Sequence, residues 1–369
     1  MNLSYWEIKT WFTNVDFTIV GSGIVGLHCA MQLKQKYPDA NVLVLEKGIL
    51  PQGASTKNAG FACFGSLSEI LDDLKTHSKE EVLALVKKRW NGLQDLRKNL
   101  GDKQLDFKQL GGYELFSDEL FDDCAPKLET INTLLKPVFK KDVFSFCENR
   151  FGFSKVHEKY VFNPLEGQID TGKMMDNLLR KAQSIGVKIL NNILVEKFTQ
   201  QNDYVSIQTN QLEFKTKNLC IATNGFAKQF LHENVKPARA QVLITKPIKN
   251  LHIQGTFHLE KGYYYFRNID DRILLGGGRN LDFITEETSQ FGQTEIVQNK
   301  LEELLITTIL PNTKVEIDHR WSGIMGVGSQ KKAIVTGLSS NVFCGVRLGG
   351  MGVAIGSIIG KELADLVTL

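Results

Sequence analysis

The stretch DFTIV-GSGIVG-LHCAMQLKQKYP, positions 16–38, limits what this chain can fold into more than any other. A short apolar, β-branched run predicts a strand. Gly21, Gly23 and Gly26 follow in the order G-x-G-x-x-G. Ile24, Leu27, Ala30, Met31 and Leu33 then recur at helical spacing, and Pro38 closes the segment. NVLVLEKG, 41–48, predicts a second strand ending at Glu46. In such a β-α-β unit Gly21 permits the tight turn, Gly23 lets the backbone approach a pyrophosphate, and Gly26 lets helix and strand pack closely. The helix N-terminus, around Ser22, Gly23, Ile24 and Val25, stabilises phosphate charge. Glu46, with Lys47 beside it, accepts from ribose hydroxyls and disfavours the 2′-phosphate of NADP. NAD and FAD remain open on this motif alone.

The remaining chain supplies elements for a second unit. Helical, charged periodicity runs from about 69 to 100, and another helix is expected near 118–136. IDTGKMMDNLLRKAQSIGVKIL, 169–190, predicts a helix capped by Asp170 or Thr171, stopped at Gly186 and followed by a strand. GYYYFRNIDDRILLGGG, 262–278, predicts a hairpin around Asn268–Asp271. Alternation puts Tyr263, Tyr265 and Arg267 on one face and Tyr264 and Phe266 on the other. GGMGVAIGSIIGKELADLV predicts a closing helix. The dinucleotide unit stands first and glycine-rich loops return last. A discontinuous domain is expected, 1–75, 160–235 and 321–369, with a β-rich domain inserted at 76–159 and 236–320.

Several function classes are disfavoured. A net charge of +3 gives no footprint for nucleic acid or an anionic membrane. Six cysteines are scattered without a C-x-x-C pair, which argues against a zinc site, a disulfide framework or a disulfide reductase. No metal ligand set is expected. The start has no apolar signal-like core, and the longest apolar run, Leu348–Gly360, is too short to span a bilayer. A cytoplasmic protein is the expectation.

The segment GASTKNAG, 53–60, is bare of bulk, and with GSGIVG and VLVLEKG it resembles the FAD-dependent oxidoreductases of the D-amino-acid oxidase superfamily, which include glycine oxidase, sarcosine oxidase, D-amino-acid dehydrogenase and γ-glutamylputrescine oxidase. The resemblance implies an α/β fold: a Rossmann-like FAD domain with an inserted antiparallel β-sheet. It implies that Gly53, Ala54, Ser55, Lys57, Asn58, Ala59 and Gly60 run beside the flavin, and that Val195 sits in the adenine turn. LCIATNGFAKQFL places Ala222, Thr223, Asn224 and Gly225 at the cofactor. RWSGIMG and VRLGGMGVAIGS are similar to the family's two C-terminal flavin loops, through Trp321, Gly323, Arg347, Gly349, Gly350, Met351, Gly352 and Val353. Gly356 and Gly360 are assigned to helix packing.

The implied activity is oxidation of a C–N bond in a small amine or amino acid by hydride transfer to FAD, with oxygen or a respiratory quinone as acceptor. Tyr264, Tyr265, Arg267 and Arg347 are the substrate-side candidates, because a tyrosine and an arginine commonly hold substrate in this family and a guanidinium fits a carboxylate bidentately. Two departures qualify the resemblance. Met325 stands where many amino-acid-oxidising members carry a carboxylate-binding arginine, with Arg347 or Arg320 as compensating candidates. Gly350-Met351-Gly352 lacks the histidine of several amine oxidases, and ILLGGG lacks the lysine that sarcosine oxidases use with oxygen. Cys63 is a candidate covalent flavin link or, more simply, a small buried thiol. The alternatives are an FAD-dependent 2-hydroxy-acid or polyol dehydrogenase, a flavoprotein acting on modified tRNA, and a non-catalytic flavin-binding partner. His28 and His319 are expected to be structural.

Overall fold

The structure, a computed structural model, describes residues 2–231 and 234–368. Its first sheet is built on the opening strand, Val15–Val20, which pairs in parallel with Glu213–Ile221 on one side and Val42–Leu45 on the other. Lys188–Leu190 and Val342–Val346 extend it in parallel outward, and Ile334–Gly337 closes one edge antiparallel. These core strands are nearly continuously buried, because a parallel sheet is covered on both faces. On one face lie the helix Ile24–Lys36, the helix Thr171–Ser184 and the closing helix Gly352–Asp365. The other face is covered by an antiparallel extension, Val195–Gln200 and Val205–Thr209.

The second sheet has eight strands: Ile317–Val327, Lys236–Thr245, Arg272–Gly277, Tyr264–Ile269, Thr256–Leu259, Gly112–Leu115, Lys159–Asn163 and Ser145–Glu148 in spatial order. All joins are antiparallel except Thr256–Leu259 with Gly112–Leu115. Asp270 and Asp271, both at positive φ, make the expected hairpin turn. One face packs an aromatic core of Tyr113, Phe153, Phe257, Tyr264 and Phe266 under the helix Glu295–Leu304. The other face looks back toward the first sheet. The fold is thus mixed α/β, with strands of the dinucleotide sheet drawn from three separated stretches and a largely antiparallel sheet between them.

Individual segments cross the expected boundaries. Strand residues 160–163 and 321–327, expected with the dinucleotide unit, hydrogen-bond into the second sheet. The helix Lys79–Leu100, expected with the insertion, packs Leu93 and Leu96 into the dinucleotide-side core. A Cβ on its Gly92 would meet the Ala354 carbonyl at 2.0 Å, so it lies hard against the closing helix. Asp170 caps its helix by accepting from the Lys173 amide at 2.9 Å, and Gly186 ends that helix at φ +89°. Among the described residues no helix is long and apolar enough to cross a membrane.

Candidate functional site

Between the two sheets lies a cavity of about 740 Å³, within the usual range for a cofactor or ligand site. Its dinucleotide end is mostly backbone. Gly21, Gly23, Ile24 and Val25 line it at the turn, and Glu46 and Lys47 at the second strand end. A Cβ on Gly26 would stand 1.9 Å from the Gly21 carbonyl, so Gly26 does not line the cavity but lets the helix close on the turn. Ser22 is also displaced from the expected role. It is fully buried, and its amide and hydroxyl donate to Glu46 Oε2 at 3.2 and 2.8 Å. Glu46 Oε1 accepts from the Gly48 amide at 3.1 Å. The Gln52 amide also donates to Oε1, at 3.4 Å, so the carboxylate's roughly four acceptor sites are committed to holding the turn, and a ribose hydroxyl would have to share one of them.

The bare segment is shaped by its own polar groups. Ser55 Oγ accepts from the Ile24 amide at 3.0 Å. Asn58 Oδ1 accepts from the Gly60 amide at 2.8 Å, and its amide group donates to the Ser55 carbonyl at 2.9 Å. Gly53, Ala54, Ser55, Lys57, Asn58, Ala59 and Gly60 all line the cavity, as do Val195, Ala222, Thr223, Asn224 and Gly225. Asn224, at φ +46°, accepts from the amides of Arg347 and Leu348 at 3.1 and 3.2 Å, which fixes the last glycine loop. Gly323, Gly349, Gly350, Met351, Gly352 and Val353 complete the wall. Gly356 and Gly360 face Ile24, Val25 and His28 instead, as a packing stripe.

The N-termini of two helices, Ile24–Lys36 and Gly352–Asp365, therefore meet one cavity, each bringing its first-turn amides, of which Ile24's is taken by Ser55, and the positive end of its dipole. Thr223 Oγ1 is buried there with no partner among the described residues. Residues 16–366 match the model of the family described as DAO, FAD dependent oxidoreductase.

The chain belongs to that family.

FAD is the family's cofactor, and the residues here fit it: a turn whose Gly21, Gly23 and Gly26 leave no room for a Cβ, two helix N-termini, a buried hydroxyl without a partner among the described residues and a carboxylate at the strand end. The chain is 22% identical to the bifunctional protein ThiO/ThiG of Synechocystis, over 96% of this chain and 52% of that protein, so it spans about half the length of this curated relative. Among solved structures it resembles glycine oxidase from Geobacillus kaustophilus (TM-score 0.76, 18% identity, 95% of this chain and 94% of that one). It likewise resembles L-proline dehydrogenase from P. horikoshii (TM-score 0.75, 19% identity, 96% and 93%) and L-amino acid deaminase from Proteus vulgaris (TM-score 0.74, 15% identity, 96% and 93%). At these identities the likeness concerns the fold.

The other end of the cavity is made of side chains from several elements: Cys63, Glu69, His258, Tyr263, Tyr265, Arg279 and Met325 among them. Of the four expected substrate-side residues, only Tyr265 lines it. Tyr264 points to the opposite face and is 1% exposed in the aromatic core, as strand alternation demands. Arg267 is buried and donates from Nη1 to the carbonyls of Gly60 and Ile169 at 2.9 and 2.7 Å, a strut rather than a binding group. Arg347 turns away from the cavity and donates to the carbonyls of Lys332 and Asn234 at 3.0 and 3.1 Å. Trp321 lies beneath the wall, donating Nε1–H to the Lys57 carbonyl at 2.9 Å. Arg320 is held by Glu302 at 2.6 Å, outside the cavity, and exposed His319 stacks on Trp321. His28 is buried within its helix, and burial lowers its pKa to about 4, consistent with a structural role.

No local pattern in the sequence marks the polar layer under this end. His258 and Glu166 are 5% and 1% exposed, and Nε2 and Oε1 lie 2.5 Å apart. Thr256 Oγ1 donates to the same carboxylate at 2.8 Å. Burial alone lowers the imidazole pKa; the Glu166 carboxylate outweighs it and raises it to about 9, so His258 is an imidazolium at neutral pH. Its Nδ1 has no hydrogen-bond partner among the described residues. Cys63 Sγ lies in the same cluster, and burial followed by the nearby Glu166 and Glu69 charges holds its thiol protonated. The trio does not resemble a metal centre. Two ligand atoms on one zinc ion stand about 3.3 Å apart, whereas His258 and Glu166 are in direct contact. Burial raises the Tyr265 phenol to about 12, so it acts as a hydrogen-bonding group, not a base.

Proposed function

We propose that the protein oxidises the C–N bond of a small amine or amino acid at this cavity, with electrons passing on to oxygen or a quinone-type acceptor. The observation that carries the reading is the continuity of one cavity from a backbone-lined dinucleotide end to an aromatic, cationic end. A cofactor and a small substrate can meet there. When bound, FAD supplies the hydride acceptor. The chain's own part is to hold and orient. Tyr263 and Tyr265 present phenol groups to a substrate, and Phe61, Met325 and the glycine wall exclude water around it. His258 and Glu166 form a neutral ion pair whose positive end, the imidazolium, lines the cavity, an orientation that favours negative charge developing nearby. The amino-acid and amine names of the structural relatives support the substrate class.

The test is the visible spectrum of the purified holoprotein mixed anaerobically with glycine, sarcosine, D- and L-amino acids, proline, polyamine conjugates and 2-hydroxy acids. Bleaching by an amine or amino acid is the expected outcome. Bleaching by hydroxy acids alone would replace the reading with a hydroxy-acid dehydrogenase.

A further inference from the structure

Every arginine of the chain but one donates a hydrogen bond to an acceptor within the protein. Arg89, Arg267 and Arg347 reach carbonyls, Arg97, Arg180, Arg239 and Arg272 reach carboxylates, Arg150 reaches a phenol, and Arg320 reaches Gln298 and Glu302. Arg279 is the exception. It is half-buried on the cavity wall, with no hydrogen bond and no ion pair to any described residue. One face of its guanidinium is covered by Phe283, 4.9 Å from Cζ to the ring centroid. That contact occupies the π face and leaves the N–H edge, five donors in one plane, unmatched.

The backbone aims this group. Strand Arg272–Gly277 ends in Gly277 at φ +122° and Gly278 at φ +81°. A Cβ on Gly277 would meet the Tyr263 carbonyl at 2.0 Å, and the Gly278 amide donates to that carbonyl at 3.0 Å. Arg279 and Tyr263 are thereby locked side by side at the cavity, Tyr263 edge-on to Phe283. The nearby acids are engaged elsewhere. Glu69 accepts from the Ser66 amide at 2.9 Å, Asp72 pairs with Lys75 at 3.2 Å, and Asp73 takes Lys331 at 2.5 Å. Elsewhere on the wall, Met325 offers only a thioether, packed toward Gly350.

A half-buried guanidinium on a cavity wall, with no acceptor among the described residues, presents its N–H edge to whatever anion enters the cavity. We propose that Arg279, with Tyr263 beside it, receives the carboxylate of the substrate, which makes the substrate an amino acid anchored from the strand-end wall and not from the position of Met325. This deepens the C–N oxidation reading and rests on it for the word substrate, but the anion site stands on its own geometry.

The experiment titrates oxidised holoprotein with acetate and propionate, following the flavin absorption bands, with inorganic phosphate and methylamine as comparisons. The proteins are wild type, Arg279→Met and Arg279→Lys, checked for equal flavin content and melting temperature. Saturable carboxylate binding by wild type is expected, with Kd raised about 10- to 100-fold in R279M. R279K, which keeps the charge but loses the fork, falls between and serves if R279M does not fold. With an oxidisable amino acid, R279M raises KM far more than it lowers kcat. The inference is overturned by wild type that binds no carboxylate, by phosphate binding more tightly than either carboxylate, or by R279M or R279K both binding carboxylates as wild type does. Arg279-dependent carboxylate binding without bleaching by any amine or amino acid would leave the anion site standing and sink the proposed oxidation. Bleaching with indifferent Arg279 variants would do the reverse.

Discussion

At the dinucleotide end of the cavity the chain contributes mainly backbone; at the other end it contributes side chains. The first end comes from contiguous stretches, 20–26, 45–60, 222–225 and 348–354, whose glycines and small residues bring amides to the surface. The second draws on separate strands and loops: His258, Tyr265, Arg279 and Met325 stand on or just past different strands and meet through the pairing of the second sheet, joined there by Cys63 from far upstream. A backbone cradle tolerates no added atom where it is tight and is indifferent to side chains where it is open. A side-chain wall can be altered one group at a time.

The largest effect expected from this contrast is at Gly26. Gly26→Ala places a methyl 1.9 Å from the Gly21 carbonyl. Overpacking of that kind costs about 1–3 kcal/mol or more, and flavin retention after gel filtration should fall at least tenfold. A G26A protein with full flavin content would break the comparison. The pair under the other end gives the next effect. His258 has a folded pKa of about 9 against an ordinary 6.5, so its contribution to stability is full below about pH 6.5 and is lost as pH rises to 9. Urea midpoints measured across that window should decline for wild type by an amount on the order of a few kcal/mol, and Glu166→Gln should flatten the decline. Smaller again is the pair of tyrosine changes. Tyr265→Phe should raise substrate KM by about three- to tenfold through one lost hydrogen bond, while Tyr264→Phe, on the opposite face, leaves KM unchanged. The smallest is Gly53→Ala. Nothing lies within 4 Å of the added carbon, so stability should stay within about 0.5 kcal/mol and flavin content unchanged. A large loss there would mean the bound cofactor passes closer to Gly53 than the wall suggests.

The same contrast explains how much was legible in the sequence. Gly21, Gly23 and Glu46 were readable through local spacing, and the 53–60 segment and the last glycine loop through the family resemblance; all of them line the cavity. Gly26 and Ser22 were legible as part of the motif but not in their roles; one packs and the other orients Glu46. On the substrate side, alternation sorted Tyr263 and Tyr265 from Tyr264 correctly, yet it could not tell which face held the cavity, and Tyr264 was named with Tyr265. Arg267 and Arg347 were chosen for their chemistry, and both prove to be committed to carbonyls. His258, Glu166 and Arg279 carried no local pattern. Their roles arise from contacts more than ninety residues apart, or, for Arg279, from an acceptor the chain does not provide. The run Gly276-Gly277-Gly278 immediately before Arg279 was the one available signal, since consecutive glycines at a strand end mark a backbone forced into a special path.

Arg267 has a mechanical consequence. Its guanidinium ties the middle strand of the second sheet to the end of the small-residue segment and to the residue before Asp170, three stretches encoded far apart. A buried tie of this kind makes the floor of the cavity a single rigid plate, so the flavin-side segment and the sheet beneath it cannot separate without stranding a charge. If the cavity widens to admit or release a ligand, the movement must come from its rim, where the stretches 279–294 and 328–332 carry Arg279, Ser289 and Lys331. Entry would then be controlled at the lip that carries Arg279, while the floor holds the small-residue segment and the sheet in one fixed register.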